Sequence, residues 1–494
     1  MTNHAPLTLS PILDRIRPLL SGRGQPVYVV GGTVRDAIMG RAVHDIDLIV
    51  ESGAIPLTFH LADSLGWPAY VLDGERDVGR IIVPGQDMTL DIARYRGPTL
   101  EDDLQGRDFT INAMALPING STIADVIDRH NGLPDLAEKQ IRVIHPQSIM
   151  DDPVRALRAV RFATQFGFAL TSETAEAAGA AGPLLREKAS VERLRDELSR
   201  LLATDSPHTG IAMLHELGAL PYILPDLSAL DGLNQSPPHH EDVFRHTLSV
   251  LRYLTTVLSL VDGGAITNEW TVTLDTLLAP YREGLRRHLA QATDGGMRGR
   301  LLLMWGALFH DIGKQRTQTI DDSGHIRFLD HDKVGAELTS KVVGEFSFSN
   351  EARQRVYSIV GGHMRPLFLA VEQRPPTRRT VYRYFRALHS AGLDVGLLAL
   401  ADHLATYNGI GNQSGWDSLQ GVVGSLFETY FNAFETTVAP PRLLDGRTIM
   451  AVLEAPPGHE IGRLLRLLEE AQASGEVNSP DEALAFVRRH HGEK

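Results

Sequence analysis

The strongest indication of the fold is the segment VYVVGGTVRDAIMGRAVHDIDLIV, residues 27–50. It opens with β-branched and aromatic residues that run into Gly31-Gly32, which predicts a strand followed by a helix. A second predicted strand carries Asp45 and Asp47, whose side chains share one face because side chains alternate along a strand. Two carboxylates side by side repel each other unless a cation lies between them, so the pair indicates a divalent-metal site.

Such a site is suited to in-line displacement at a phosphate. Two Mg²⁺ ions held by Asp45 and Asp47 could polarise a 3′-hydroxyl and neutralise a triphosphate. The backbone N–H groups of Gly31 and Gly32 can approach phosphate, because glycine has no side chain and a helix N-terminus favours anions. A lone Asp-x-Asp is usually a solvated strand edge and a lone Gly-Gly is usually a turn, but their ordered combination with GG-x-V-R-D is far more specific.

Length and composition exclude several classes of protein. The chain has 494 residues, enough for about three domains, and its 43% hydrophobic and 22% charged residues are globular proportions. Its longest strongly apolar run, 301–309, is too short to span a membrane, which takes about 18 or more residues. The absence of cysteine excludes disulfides, thiolate catalysis and Cys-based metal sites. No secretory pattern is visible at the N-terminus, so we expect a cytoplasmic protein.

Charge and periodicity predict an α+β head followed by helical parts. The net charge of −13 argues against a uniformly basic nucleic-acid-binding protein but allows a local basic stripe. Helices are predicted over 33–39 and 55–65, and helical spacing prevails from Ala137 onwards. The predicted strands, which would form one small mixed sheet, are 27–30, 45–50, 69–73, 79–84 and 88–95.

The same patterns predict five regions, separated where the composition changes. The clearest linker is LNQSPPHHED, residues 233–242, because it is rich in proline and polar residues. Residues beyond it are predicted to be all-α. The predicted regions are an N-terminal helix (1–24), the head (25–145), a helical neck (146–232), an all-α unit (233–415) with an insertion near 261–298, and a helical tail (416–494).

Three further motifs follow the first in order: GRDFTINAMA (106–115), DVIDRHNGLPDLAEKQIRVI (125–144) and DDPVRALRAVRFATQFGF (151–168). With GG-x-V-R-D and D-x-D they resemble the second class of the tRNA CCA-adding enzyme and bacterial poly(A) polymerase family. The resemblance covers about residues 25–230. Two positions depart from the usual family motifs, since Gly106 stands where an arginine is usual and Asp151 where a glutamate is usual.

The resemblance implies roles for the motif residues. Asp45 and Asp47 would be the catalytic carboxylates and the Mg²⁺ ligands. The family residues that match Asp152 and Arg155 pair with the Watson–Crick edge of the incoming nucleotide, and a carboxylate acceptor beside a guanidinium donor can satisfy C and, with a shift, A. Taken alone, the spacing of Asp152, Arg155, Arg158 and Arg161 is more often that of a solvated helix face. The other implied nucleotide-binding residues are Gly31, Gly32, Arg35, Asp36, Arg107, Asp108, Asn112, Arg158 and Arg161.

The helical half carries a second pattern, H … HD … H … H … D, which resembles the HD phosphohydrolase superfamily. The resemblance implies a divalent metal such as Mn²⁺, Ni²⁺, Co²⁺ or Mg²⁺. A bound metal would generate hydroxide for phosphatase or phosphodiesterase chemistry. The alternative is a domain retained for structure or for docking tRNA. The implied core ligands are His246, His310, Asp311 and Asp402, with His331 and His363 for a second metal or a substrate phosphate.

The implied function is a tRNA nucleotidyltransferase that adds C and A residues, CCA or part of it, to the tRNA 3′ end. Its partners would be tRNA, CTP and ATP, with no membrane and no obligate protein partner. Only Pro98 and Thr99 separate DIARYRG from LEDDLQGRDF, where CCA-adding members usually hold a longer flexible loop, so the segment resembles members that add only CC. Poly(A) synthesis is another alternative. A metal-dependent phosphohydrolase with an RNA-binding head is the alternative from a different class.

One further stretch, RPPTRRTVYRYFRALH (374–389), combines five arginines with Tyr382, Tyr384 and Phe385. Such a stretch can hold an RNA backbone while an aromatic ring stacks on a base. A partly buried helix with an arginine face is equally consistent with the pattern, because arginine is abundant throughout the chain.

Overall fold

The computed structural model describes residues 5–20, 24–43, 45–86 and 88–492. The chain divides into an N-terminal unit, Met1–Glu197 with Met213–Ile223, and a C-terminal unit, Leu198–Ala212 with Leu224–Lys494. The helix predicted over 1–24 falls in part on residues 1–4 and 21–23, which lie outside the described residues. No described helix is both long enough and apolar enough to cross a membrane.

The N-terminal unit is built on a seven-stranded mixed sheet with the strand order β3-β4-β5-β2-β1-β6-β7. Strands β2 and β5 pair in parallel, and the other neighbours pair antiparallel. The small mixed sheet predicted from the sequence is therefore confirmed. Its strands are β1 (Val27–Val30), β2 (Asp45–Val50), β3 (Ala69–Asp73), β4 (Val78–Ile82), β5 (Thr89–Arg94), β6 (Met114–Pro117) and β7 (Ile127–Asp128).

Helices pack against this sheet and continue beyond it, and β8 (Gln140–Ile141) pairs with β9 (Ala169–Leu170) as a small parallel sheet. The division between the two units falls inside α10 and α11. The helices are α1 (Pro11–Leu20), α2 (Gly32–Ile38), α3 (Ala54–Leu65), α4 (Leu100–Gln105), α5 (Gly132–Glu138), α6 (Gln147–Asp151), α7 (Val154–Phe166), α8 (Ser172–Ala180), α9 (Leu185–Lys188), α10 (Val191–Leu202), α11 (Pro207–Glu216) and α12 (Leu220–Ile223).

The alternation of side chains on β2 positions the first candidate site. Ile46 and Leu48 are buried in the main core of the unit, together with Leu90 and Ile92 of β5. Because side chains alternate, the acidic residues of β2 lie on the opposite face. The hydrophobic residues thus fix the strand in place, and the carboxylates are left where a ligand can reach them. Strand β4 ends before Pro84, which has no N–H to donate, so it is shorter than predicted.

The C-terminal unit is mainly helical, as predicted, but it also holds an antiparallel hairpin of β10 (Gln318–Ile320) and β11 (Ile326–Phe328) that the sequence analysis missed. Two helices, α15 and α16, occupy the stretch 261–298. The helices are α13 (Pro225–Ser228), α14 (Val243–Val261), α15 (Glu269–Leu278), α16 (Arg282–Ala290), α17 (Gly299–Phe309), α18 (Lys314–Thr317), α19 (His331–Glu345), α20 (Asn350–Gly362), α21 (Arg365–Val371), α22 (Arg378–Leu388), α23 (Ala391–Tyr407), α24 (Gln413–Asn432), α25 (Gly446–Leu453), α26 (His459–Ser474) and α27 (Pro480–His490).

Candidate functional site

Three carboxylates lie on adjacent parallel strands of the N-terminal sheet. Asp45 and Asp47 are on β2, and Asp47 lies opposite Asp91 of β5 in the strand register. The Thr89 hydroxyl donates to Asp45 Oδ1 at 2.8 Å. Arg80 of β4 donates to both oxygens of Asp91, at 2.7 and 2.6 Å. The predicted pair is therefore brought together, and Asp91 joins it as a third acidic group.

The charge balance around Asp47 favours a cation. Burial raises the pKa of Asp47 to about 6; the Arg107 guanidinium opposes this rise, and the Asp91 and Asp45 carboxylates add to it. A carboxyl group whose ionised form is disfavoured by burial and by like charges gains most from a positive ligand. The residues present therefore fit a divalent metal. Asp91 was not predicted from the sequence, although an acid between apolar residues on a strand was the signal available.

The glycine turn before α2 brings the backbone against this site. Gly31 has φ +67°, a conformation that L residues with side chains rarely adopt. A Cβ there would lie 2.8 Å from Arg107 Nη1 and 3.7 Å from Asp47 Oδ2. Gly32 is the first residue of α2, so the N-terminus of this helix lies at the same turn. Only glycine allows the backbone, the arginine and the carboxylate to approach one another this closely.

Arg107 is held in place by its own neighbours. Its Nε and Nη2 donate to Asp103 Oδ2 at 3.1 and 2.9 Å, and its Nη1 lies 3.5 Å from the backbone oxygen of Asn112. Asp103 is buried and therefore fixes the direction of the guanidinium. Arg107, predicted to bind the nucleotide, thus lies beside the glycine turn and the carboxylates, with its Nη1 directed towards them.

The other predicted residues of the head form one buried network. Arg35 Nη1 donates to Asn112 Oδ1 at 2.5 Å, and its Nε and Nη2 donate to Asp36 at 2.9 and 3.0 Å. Asn112 Nδ2 donates in turn to Asp108 Oδ1 at 2.9 Å. Burial alone would raise the pKa of Asp108, but Arg158 and the hydrogen bonds to the carboxylate lower it to about 2. These residues hold one another in place behind the carboxylate site.

Two arginines of α7, Arg158 and Arg161, donate hydrogen bonds to acidic side chains. Arg158 donates to Asp108 Oδ2 at 2.8 and 2.6 Å, and its Nη1 lies 3.4 Å from Glu197 Oε1. Arg161 Nε donates to Glu197 Oε2 at 2.7 Å. Glu197 lies on α10. Arg158 and Arg161 thus have intramolecular partners, whereas a role in phosphate binding stays a prediction.

Asp152 and Arg155 lie at the start of α7 and are both hydrogen-bonded to the protein. Arg193 of α10 donates from Nη2 to Asp152 Oδ2 at 2.8 Å. Arg155 donates to the backbone oxygens of Arg107 and Gly106, at 3.1 and 3.0 Å. The predicted base-reading pair is thus next to Arg107 in the same unit.

All six ligand positions predicted in the C-terminal unit converge. His246 Nε2 lies 3.0 Å from Asp402 Oδ1 and 3.7 Å from Asp311 Oδ2, and His310 Nε2 lies 3.2 Å from Asp311 Oδ2. The other oxygen of Asp311, Oδ1, is 3.4 Å from His331 Nε2 and 3.8 Å from His363 Nε2. These side chains form two possible metal-binding groups that share Asp311: His246, His310 and Asp311, and Asp311, His331 and His363.

Backbone carbonyls orient the histidines. The Nδ1 atoms of His310, His331 and His363 lie 2.7–2.8 Å from the carbonyl oxygens three residues earlier. A carbonyl oxygen only accepts hydrogen bonds, so each Nδ1 carries a proton and Nε2 is the ring nitrogen directed into the cluster. His310 Nε2 is buried and makes no hydrogen bond to a described residue. Burial lowers the pKa of His363 to about 3, so this imidazole is neutral at ordinary pH. The cluster therefore fits transition-metal ions.

Two residues at this cluster, Lys314 and Gln235, were not predicted from the sequence. Lys314 Nζ donates to Asp311 Oδ2 and to Gln235 Oε1, both at 2.7 Å. A cavity of about 980 Å³ opens beside the cluster, and its lining includes Lys314, Asp311 and the exposed ring of Phe368. The signal for Lys314 was its position three residues after Asp311, one turn further along the chain.

The arginine-rich stretch 374–389 forms α22 and packs inside the C-terminal unit. Tyr382, Tyr384 and Phe385 are buried. Arg379 and Arg383 both donate to acids of α26 or of the turn after it, at 2.8 and 2.5 Å. Of the two interpretations left open by the sequence, these contacts favour the partly buried helix.

Comparison with known proteins agrees with this arrangement. Residues 27–142 match the family model described as Poly A polymerase head domain, and residues 286–407 match that of the HD domain. Residues 167–230 match the model of a probable RNA and SrmB-binding site of polymerase A. A solved structure of a CCA-adding enzyme with ATP has the same fold, with a TM-score of 0.63 at 20% identity over 99% of both chains.

Two relatives extend over nearly the whole sequence. The A-adding tRNA nucleotidyltransferase of Deinococcus radiodurans is 34% identical and covers 96% of this chain and 98% of the relative. The CC-adding tRNA nucleotidyltransferase of Thermus thermophilus is 31% identical and covers 93% of this chain and 92% of the relative. The expected family and fold class are therefore confirmed: this chain belongs to the tRNA nucleotidyltransferase and poly(A) polymerase family and is a nucleotidyltransferase that carries an HD domain.

Proposed function

We propose that this chain adds C and A residues, CCA or part of it, to the 3′ end of tRNA, using CTP and ATP. The observation that carries the proposal is the convergence of Asp45 and Asp47 with Arg107 at the Gly31 turn. In this arrangement the two carboxylates would bind a cation, and the neighbouring Arg107 would bind the triphosphate. The full-length relatives named as tRNA nucleotidyltransferases support tRNA as the acceptor.

The residues of the site would have two kinds of role, charge stabilisation and base recognition. Mg²⁺ held by Asp45 and Asp47 would supply polarisation of the 3′-hydroxyl and neutralisation of the triphosphate. Arg107, already directed by Asp103, would bind the triphosphate without reorganising. Asp152 and Arg155 would read the base edge, and Asp108 with the residues bonded to it would hold this side of the site rigid.

Which nucleotides are added depends on how far the base-reading pair can shift. The two relatives that match most of the chain differ, since one is A-adding and the other CC-adding. In this chain the connection from β5 to α4 is closed by hydrogen bonds: Thr99 and Asp102 form a capping box, and Arg96 N–H donates to Asp103 Oδ1 at 3.0 Å. A connection of so few residues, closed by these hydrogen bonds, spans too short a distance to shift the base-reading pair. We therefore expect strong C addition and weak A addition.

The test is gel-resolved extension of tRNA transcripts that end before the first C, after one C and after two C residues. Each is incubated with CTP alone, ATP alone and both nucleotides. Extension that stops after two C residues identifies CC addition, a single A on the third transcript identifies A addition, and a long A tract identifies poly(A) synthesis. No extension of any transcript would refute the proposal and leave the phosphohydrolase with an RNA-binding head as the remaining candidate.

A second activity is favoured by the shared position of Asp311 in the histidine cluster. We infer that the HD domain hydrolyses phosphate esters with Mn²⁺, Ni²⁺, Co²⁺ or Mg²⁺, because Lys314 and the adjoining cavity provide a cation and space for a phosphate ester. The test is release of phosphate or opening of 2′,3′-cyclic nucleotides with each metal in turn. No hydrolysis with any of the four would leave a structural or tRNA-docking role. The cytoplasmic location and the absence of an obligate protein partner stay predictions.

A further inference from the structure

Two cations contact the same oxygen of Asp152. Arg193 Nη2 donates to Oδ2 at 2.8 Å, and Arg155 Nε lies 3.8 Å from that oxygen. The other oxygen, Oδ1, accepts no hydrogen bond from a described residue. The side chain is partly exposed, so a ligand can reach it. Oδ1 is therefore the acceptor that the protein leaves for a ligand.

Arg155 is fixed from its other end. Its Nη1 and Nη2 donate to the backbone oxygens of Arg107 and Gly106, the residues that follow α4. A guanidinium has five N–H groups, so these two bonds leave Nε and one N–H on each terminal nitrogen for a ligand. The acceptor and the donor of the pair thus have defined directions before any nucleotide binds.

We propose that Arg193 is a positioning residue that sets nucleotide choice by holding Asp152 Oδ2 and so directing Oδ1 at the incoming base. This inference rests on the proposed base-reading role of Asp152 and Arg155. C and A carry an exocyclic amino group, a donor, whereas G and a uracil-type base carry a carbonyl oxygen at the matching position. A carboxylate oxygen fixed in front of the base edge accepts from the first two and repels the others. The substrates selected are nucleoside triphosphates with an exocyclic amino group.

Without Arg193, the nearest cation to Asp152 is Arg155. Shortening of the 3.8 Å distance between Arg155 Nε and Asp152 Oδ2 to a hydrogen bond would occupy the Nε donor and turn Oδ1 away from its direction in the wild type. Arg193 itself is half exposed, with 52% of its side-chain surface accessible, and its guanidinium makes no other hydrogen bond to a described residue. Its removal therefore alters the Asp152 carboxylate and leaves the packing of α10 in place.

The experiment measures kcat/KM for CTP, ATP, UTP and GTP singly, on tRNA transcripts that lack the 3′ end. The variants are Arg193→Gln and Arg193→Lys. The matched control is Arg195→Gln on the same helix, where the arginine donates to the neighbouring Asp196. We expect Arg193→Gln to reduce the preference for the natural nucleotide over UTP and GTP about tenfold, the size of a lost base contact. Arg193→Lys should restore part of the preference, and the control should keep all of it.

An equal fall in kcat/KM for all four nucleotides, with the preference unchanged, would show that Arg193 only stabilises the neck and would overturn the inference. Asp152→Asn and the double variant add a second readout. If Arg193 acts through Asp152, the double variant loses no more preference than Asp152→Asn alone, whereas additive losses contradict the inference. A wild-type chain that extends no transcript overturns the proposed function and this inference together, while extension with an unchanged Arg193→Gln preference overturns this inference alone.

Discussion

The two candidate sites balance their acidic groups in opposite ways. On the sheet, burial and two neighbouring carboxylates raise the pKa of Asp47 to about 6, and Arg107 offsets them only in part. In the helical unit, burial would raise the pKa of Asp311, but His310 and Lys314 hold it well below its usual range. The first site is therefore short of positive charge until a cation binds. The second is balanced by the protein's own side chains, so its geometry is set in advance.

The largest effect is expected at the carboxylates of the sheet. Asp47→Ala removes one of the groups that hold the cation, so nucleotide addition should fall by several decades, on the order of several kcal/mol of barrier. Asp45→Ala should do the same. The measurement is tRNA extension, with phosphate-ester hydrolysis by the same sample as the control. Activity within about tenfold of the wild type would show that these residues do not hold the metal.

The converse variant tests the histidine cluster. Asp311→Asn keeps the size of the side chain but removes the charge shared by both metal-binding groups, so metal content and hydrolysis should fall together to background. Nucleotide addition should stay near the wild-type rate, because the two sets of residues have no member in common. His310→Ala is a second variant with the same expected result. Loss of nucleotide addition in both variants would show that the two sites do not act independently.

The base-reading pair should give a smaller and more selective effect. Asp152→Ala and Arg155→Ala should each forfeit roughly 1–3 kcal/mol of discrimination between nucleotides, as expected for a bidentate base contact. The measurement is incorporation of all four nucleotides singly. The control is Arg76→Ala, an arginine of the same unit whose side chain is 84% exposed. A slower rate with unchanged preference would mean that the start of α7 serves phosphate binding or packing instead.

The sequence predicted residue sets better than it predicted how those residues are held. The strands β1, β2 and β3 have their predicted ends, because alternating side chains and glycine turns are local signals. The pairing of Asp91 with Arg80 was missed, because it depends on the register between strands, which no local pattern encodes. The hairpin β10–β11 was missed because strands of three residues are too short to show alternation.

The same limit applies to the sites. The histidines of the cluster were singled out because they recur in or beside helices in the order of a known motif, and their role as metal ligands stays a prediction. The carbonyls that fix their Nδ1 atoms were not found, since any residue can supply a backbone oxygen. Arg193 was not predicted from the sequence, and only the structure shows that it contacts Asp152. Residues with a direct chemical role can be predicted from their residue types, whereas positioning residues are recognised only from the geometry of the folded chain.

Insertion of a flexible loop tests whether the short connection limits nucleotide choice. In the variant, a relative's longer loop is placed between Gly97 and Leu100, which should loosen the segment closed by the Thr99 capping box. We expect A addition to rise several-fold, because the base-reading pair needs a mobile element to adopt the second conformation that pairs with A. C addition should not rise. The control is a glycine–serine insert of equal length. Efficient A addition by the natural chain would refute the limit and favour full CCA synthesis.

The smallest effect concerns stability and distinguishes the two sites without any assay of activity. The pKa of Asp47 is about 6 in the folded chain against an ordinary 3.8, so between these values the folded chain keeps a proton that the unfolded chain loses. The free energy of unfolding therefore falls as pH rises through this window, and the full cost is present above it.

Asp47→Asn should raise the unfolding midpoint by a few degrees at pH 7.5 without metal, on the order of 1 kcal/mol, and change little near pH 4. Mg²⁺ should narrow the gap by stabilising only the wild type, and Asp63→Asn, an exposed aspartate of α3, should show neither effect. An unchanged or lower midpoint for Asp47→Asn at pH 7.5 would mean that the sheet already balances its carboxylates as fully as the histidine cluster does.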